Sequence, residues 1–79
     1  MKDYRMVCQT TTGSLQWEYS YTSASNEMAI GYAASHAKQF AGVRWFMALL
    51  VFTIDKEEGG ELIAICTLAE PGVKVEYKP

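Results

Sequence analysis

The stretch Ser23–Gly42, SASNEMAIGYAASHAKQFAG, decides the fold, because it is the one convincing helix and strand-like segments flank it on both sides. Ser23 or Ser25 is suited to cap its first turn, since a serine oxygen there accepts a hydrogen bond from a free backbone amide. Gly42 is suited to end it in a left-handed conformation. The pattern predicts about 18 helical residues, roughly 27 Å in length.

One face of this helix is apolar. Advancing about 100° per residue places five side chains on a single stripe, namely Ala29, Ile30, Ala33, Ala37 and Phe40. The alanines recur every fourth residue, so the helix axis can approach its neighbour closely. We therefore expect the helix to lie flat on a β-sheet.

Five further segments have the apolar or alternating pattern of strands. They are Tyr4–Thr11, Leu15–Thr22, Val43–Ile54, Glu61–Leu68 and Val73–Lys78. The last has alternating charges that discourage further pairing, which is typical of an edge strand. The sequence thus predicts one α+β domain over residues 1–79, with a mostly antiparallel sheet of four to five strands on one α-helix, in the order ββαβββ.

The third and fourth strands have more apolar side chains than one helix can cover. An antiparallel sheet with one solvated face alternates apolar and polar residues along each strand. The third strand instead has Leu49 and Val51 on one side and Leu50 and Phe52 on the other. Either the sheet curls over its own second face, or that face is an interface, formed in a homodimer or with another protein.

Composition excludes several classes of function. Hydrophobic residues make up 49% of the chain, which argues against disorder. The net charge is -2 and the basic residues are scattered, so direct nucleic-acid binding is not expected. The N-terminus has no signal-peptide pattern, and the longest uncharged apolar run is too short for a membrane helix. We expect a cytoplasmic protein with no membrane segment.

No group of residues predicts catalysis, a metal site or a cofactor. His36 is the one histidine, at the rim of the apolar stripe near Tyr32 and Phe40, and a structural role is favoured because catalysis requires a base and a nucleophile together. Cys8 and Cys66 fit no metal spacing, and their places within strands indicate buried, inert thiols in a reducing compartment. We assign no catalytic, metal-binding or cofactor-binding residue.

The loop after the third strand is acidic. It contains Asp55, Glu57 and Glu58, and Glu61 follows at the start of the next strand. Charge runs at turns are most often solvated loops. The functional interpretation is an acidic projection that binds the basic surface of a partner protein.

Three aromatic residues, Trp17, Tyr19 and Tyr21, share one face of the second strand. We expect them to pack under the helix. A stacking platform for nucleic-acid bases is the alternative, but such platforms lie in basic grooves and this chain has no basic cluster.

The segment WEYSYTSASNEMAIGYAASHAKQF, residues 17–40, resembles the small single-helix α+β proteins of phages and mobile elements, a group that includes several anti-CRISPR proteins. The resemblance covers a hairpin strand that leads into a serine-capped, alanine-rich helix. It implies a non-enzymatic inhibitor that binds a host effector complex and blocks nucleic-acid recognition or nuclease recruitment. It assigns no role to any individual residue.

Two hypotheses of different classes follow. The first is a non-enzymatic protein-binding module that uses the acidic loop and exposed apolar surface, on the pattern of a phage-type inhibitor. The second is a homodimer whose paired sheets enclose a cavity for a small ligand, in an enzyme or a binding protein with His36 at the cavity mouth.

Overall fold

The computed structural model describes residues 1–54, 59–69 and 72–78. It confirms the predicted α+β class and the order ββαβββ. The strands are β1 (Lys2–Thr10), β2 (Leu15–Ser23), β3 (Phe46–Thr53), β4 (Leu62–Ala69) and β5 (Gly72–Tyr77). They form one antiparallel sheet in the spatial order β2-β1-β3-β4-β5, so β2 and β5 are the two edges.

The helix α1 (Asn26–Ala37) is shorter than the sequence predicts. Of the two candidate caps, Ser25 is the one used, and its Oγ accepts a hydrogen bond from the amide of Met28 at 3.2 Å. At the other end the α-helix tightens into a 3-10 turn at Lys38–Phe40. Gly42 then adopts a φ of +86°, which reverses the chain as expected.

The core lies between α1 and one face of the sheet. Cross-strand partners point to the same face, and Met6 pairs with Val51, which pairs with Ala64. These three residues are fully buried, as are the alanines of the helix stripe. The predicted apolar stripe is therefore the face that α1 packs against the sheet, mainly on β3 and β4.

Two tyrosine hydroxyls tie α1 to the first hairpin. Tyr4 on β1 is fully buried and donates to Oδ1 of Asn26 at 2.6 Å. Tyr21 on β2 donates to the carbonyl of Ala29 at 2.8 Å. Both phenols thus satisfy their polar ends while their rings fill the space under the helix.

The aromatic residues of β2 lie on the helix side of the sheet, as predicted. The ring of Trp17 stacks on Phe40 with a centroid separation of 6.1 Å. Trp17 and Tyr21 pack against the core, whereas Tyr19 stays 48% exposed. The expectation of packing under the helix holds for two of the three residues.

The start of β3 differs from the sequence prediction. Residues 43–45 form a turn rather than strand, with the Phe46 amide donating to the carbonyl of Val43 at 3.3 Å. The register then shifts, because Thr10 pairs with Phe46 while Gln9 pairs with Ala48. This bulge turns Phe46 towards the helix side, where its ring stacks on Phe40 at 4.5 Å.

Candidate protein-binding surfaces

The sheet face opposite α1, here called the open face, has an apolar centre. Val7 on β1 pairs with Leu50 on β3, and Leu50 pairs with Ile65 on β4, so the three side chains form a row. Phe52 lies in the next row, opposite Arg5. Val7 is buried between its neighbours, whereas Leu50, Phe52 and Ile65 are half-buried. Nothing in the described part of the chain packs over this row as α1 does on the other face.

Charged and polar side chains bound this apolar row on both sides. On the β1–β2 side, Nη1 of Arg5 lies 3.6 Å from Oε2 of Glu18. On the β5 side, Lys74 and Glu76 pair with Thr67 and Ile65 and so share the open face. An apolar centre with a polar rim is the usual anatomy of a protein interface.

Arg5 is the least satisfied polar group on the open face. Its guanidinium carbon lies 5.0 Å from the centre of the Phe52 ring, a cation–π contact. Its Nε is buried without a hydrogen-bond partner among the described residues. The ion pair with Glu18 is partly exposed, and such pairs contribute little, about 0–1 kcal/mol. A carboxylate or carbonyl oxygen of a partner could therefore bind the partly exposed guanidinium end of Arg5, whereas Nε is buried.

A groove lies on the other side of the sheet, between the β2 edge and α1. It encloses about 560 Å³ and is lined by Tyr19, Tyr21, Thr22, Ser23, Met28 and Tyr32. The ring of Tyr21 lies 6.1 Å from that of Tyr19 and 5.1 Å from that of Tyr32. Burial, followed by the neighbouring titratable groups, raises the pKa of Tyr21, so its phenol stays neutral and keeps its bond to Ala29. The groove is aromatic and uncharged.

The predicted acidic surface is only partly described. Asp55, Glu57 and Glu58 lie outside the described residues, so the acidic projection stays a prediction. Glu61 is exposed, and its backbone is fixed to β3, because its carbonyl accepts from the Thr53 amide at 2.9 Å and its amide donates to Thr53 Oγ1 at 3.1 Å. Glu61 is therefore held at the point where the acidic loop enters β4.

The two thiols lie in the core. Cys8 and Cys66 are both fully buried. Burial raises the pKa of Cys66 to about 11 and raises that of Cys8 as well. Cys8 and Cys66 each pair with Leu49, from opposite sides. Two strand spacings of about 4.8 Å separate them, beyond the roughly 7 Å that a disulfide spans.

The imidazole ring of His36 lies against an aromatic ring. Its ring centre lies 4.6 Å from that of Tyr32, the predicted neighbour. It is not among the residues that line the β2–α1 groove. Across residues 1–54, 59–69 and 72–78, no three metal-ligating side chains come together.

Sequence reasoning missed the partners that define both surfaces. The Arg5–Phe52 contact depends on the pairing of β1 with β3, which are far apart in the chain. The groove depends on Met28 and Tyr32, whose spacing of four residues places them on one side of α1. That spacing was the one local signal available.

No helix in the described residues is both long and apolar enough to cross a membrane. Comparisons with protein-family models, with curated proteins and with solved structures found no match to this chain.

Proposed function

We propose that this chain is a non-enzymatic protein-binding module whose partner docks on the open face of the sheet. The observation that supports it is the apolar row of Val7, Leu50 and Ile65, with the half-buried Phe52 beside it and charged residues on both sides. Covering this row with a partner would stabilise the complex by about 25 cal/mol for each Å² of apolar surface removed from water.

The chemistry of the rim favours a partner with its own charged groups. Arg5 and Glu18 on one side, and Lys74 and Glu76 on the other, present both signs of charge. Charge pairs at a rim set the orientation and the rate of association more than the affinity. We expect the apolar row to contribute most of the affinity, and Arg5 to select an acceptor on the partner.

The resemblance to phage and mobile-element proteins supplies a class of partner. On this proposal the partner is a host effector complex that acts on nucleic acid, and binding blocks nucleic-acid recognition or nuclease recruitment. The acidic loop with Asp55, Glu57 and Glu58 is proposed as a second contact, for a basic surface of that complex. In this account the partner, not this chain, binds nucleic acid.

Affinity capture with two matched leucine substitutions tests the proposal. Leu50→Lys places a charge in the centre of the open face, while Leu15→Lys places the same charge on a leucine that is already 65% exposed elsewhere. Wild-type and Leu15→Lys baits should recover the same partner from a lysate of the source cell, and a folded Leu50→Lys bait should lose it. Equal recovery by all three baits would remove the open face from the account.

The acidic loop is tested separately by Glu57→Lys combined with Glu58→Lys. Loss of the partner by this double variant, with an unchanged thermal midpoint, would support the second contact. Unchanged recovery would assign the whole interface to the open face.

A second candidate function is the binding of a small ligand, in a groove within one chain rather than in a cavity between the paired sheets of a homodimer. The β2–α1 groove favours it, because about 560 Å³ lies within the range of roughly 300–1,000 Å³ typical of ligand sites. Since His36 does not line this groove, Tyr32→Ala is the informative variant. A fragment library screened by NMR should give hits that shift Tyr19 and Tyr32 signals and disappear in that variant, whereas no hits would count against this function.

A further inference from the structure

The main chain of β2 has one row of hydrogen-bonding groups that the sheet does not use. The amide of Ile54 donates to the carbonyl of Asp3 at 3.0 Å, so Asp3 directs its backbone groups towards β3. In an antiparallel strand, successive residues direct these groups to opposite neighbours. Tyr4 and Met6 therefore bond to β2, through Tyr21 and Tyr19.

The same alternation along β2 leaves Glu18, Ser20 and Thr22 with outward amides and carbonyls. These three residues have partners in register on β1 but direct their backbone groups away from it. Because β2 is an edge of the sheet, no strand in the described structure lies beyond it.

Between Trp17 and Ser23 the β2 edge has no lysine, proline or bulge, which are features that usually keep edges apart. Lysines, prolines and inward charges block edge-to-edge pairing in natural sheets. Between Trp17 and Ser23 the one charged residue is Glu18, which is paired with Arg5. The other edge, β5, has Lys74 and Glu76 along its length.

Exposed apolar side chains border the same edge on the helix side. Tyr19, Met28 and Tyr32 are 48%, 62% and 42% exposed, and all three line the β2–α1 groove. A strand added to β2 would cover them. The unused backbone row and the uncovered side chains therefore lie on one surface.

We propose that a second copy of this chain pairs with this surface, β2 against β2, in an antiparallel arrangement centred on Ser20. A bulge lies between Cys8 and Gln9, opposite Gln16, so the regular part of β2 is 17–23, and its midpoint is Ser20. In this register Glu18 of each copy bonds to Thr22 of the other, and Ser20 bonds to Ser20. Each of the three outward residues then uses both its amide and its carbonyl.

Side-chain chemistry selects this register over its neighbours. On the helix side Tyr19 faces Tyr21 of the second copy, which extends the Tyr19–Tyr21 stack across the seam. On the open face the carboxylate of Glu18 faces a threonine hydroxyl. A register centred on Glu18 would place two carboxylates directly opposite, and one centred on Tyr19 would use only two of the three outward residues.

The pair would form a continuous ten-stranded sheet with both open faces on the same side. The inference does not depend on the proposed partner, because it uses the β2 edge and the groove rather than the open face. Each can fail while the other holds.

Engineered disulfides test the register. Ser20→Cys places two thiols at the two-fold axis, at a separation of about 5.5 Å between Cα atoms, within disulfide range. Thr22→Cys is the matched control, because residue 22 faces Glu18 and not itself. On mild oxidation Ser20→Cys should become a covalent dimer of twice 8.8 kDa, and Thr22→Cys should stay at 8.8 kDa. Equal yields from both variants, or none from Ser20→Cys, would overturn the register.

Light scattering tests the association itself. The molar mass of the wild type should rise from 8.8 kDa towards twice that value as concentration increases. In Ser20→Glu the new carboxylate lies opposite Arg5 within its own chain. In the pair, however, two carboxylates would meet at the axis, so this variant should remain at 8.8 kDa. A monomeric wild type at millimolar concentration would overturn the proposal. A dimer that Ser20→Glu leaves unchanged would also overturn it, since another surface would then be responsible.

Discussion

Among the glycines in the described residues, Gly60 is the one where an added methyl group is expected to lower the free energy of unfolding most. Its φ is +98°, and a Cβ built there would lie 1.9 Å from the carbonyl oxygen of Thr53. That oxygen belongs to the backbone of β3, so relief requires the end of the β3–β4 pair to move. The same end holds two hydrogen bonds between Thr53 and Glu61.

The size of the effect is the sum of two costs, that of the left-handed backbone conformation and that of the disrupted hydrogen bonds. A left-handed conformation costs a non-glycine residue about 1–2 kcal/mol. Each disrupted hydrogen bond adds about 1 kcal/mol. With one or both of the Thr53–Glu61 bonds disrupted, Gly60→Ala should therefore lower the free energy of unfolding by about 2–4 kcal/mol, a large part of the roughly 4–12 kcal/mol expected for a domain of this length.

Two other glycines provide matched controls in a urea titration followed by circular dichroism. Gly59 has a φ of +88°, and no atom of the described residues lies within 4 Å of an added Cβ, so Gly59→Ala should lower the free energy of unfolding by the conformational cost of about 1–2 kcal/mol alone, about half the loss expected for Gly60→Ala. Gly31 lies inside α1, and no described atom beyond the helix backbone lies within 4 Å of an added Cβ, so Gly31→Ala should raise the free energy of unfolding by about 1 kcal/mol. If Gly60→Ala is no worse than Gly59→Ala, the close approach to Thr53 is wrong.

Other predictions concern the helix cap and the buried thiols. Ser25→Ala removes the bond to the Met28 amide and should lower the free energy of unfolding by about 1 kcal/mol in the same titration; an unchanged midpoint would contradict the cap. Cys8 and Cys66 should not react with a thiol reagent at pH 8 until urea unfolds the chain, and fast labelling of the native protein would show that they are accessible. Because the pKa of Cys66 is raised when folded, the unfolded chain loses its thiol proton first as pH rises, so the urea midpoint should fall between about pH 9 and 11; a constant midpoint would contradict this burial.

Local patterns in the sequence were sufficient for the elements and their order. Alternation along Leu15–Thr22 matches β2 to within one residue. The alanine stripe correctly identified the buried face of α1. Both signals are local, since they depend on which residues share a side of one element.

Boundaries and registers were less predictable, because they depend on distant contacts. The helix prediction extended to Gly42, but the chain tightens into a 3-10 turn after Ala37 and brings Phe40 between Trp17 and Phe46. Strict alternation along the third strand puts Phe46 and Leu49 on different faces of the sheet. The bulge against Thr10 instead places both side chains on the helix side. Neither the 3-10 turn nor the bulge is indicated by a local sequence pattern.

The candidate surfaces show the same division. The surplus of apolar residues in β3 was visible in the sequence, and the structure places Leu50 and Phe52 on the open face. Two further features could be predicted only from the strand order and the position of α1. They are the position of Arg5 over Phe52 and the groove that Tyr19 and Tyr32 border. These are non-local facts.

The most direct test of the partner-binding account is methyl NMR with the captured partner. Ile65 lies on the open face, whereas Ile30 belongs to the buried face of α1, on the opposite side of the sheet. Titration of the partner into the methyl-labelled chain should shift or broaden the Ile65 signal and leave that of Ile30 in place. An unchanged Ile65 signal at saturating partner would contradict docking on the open face.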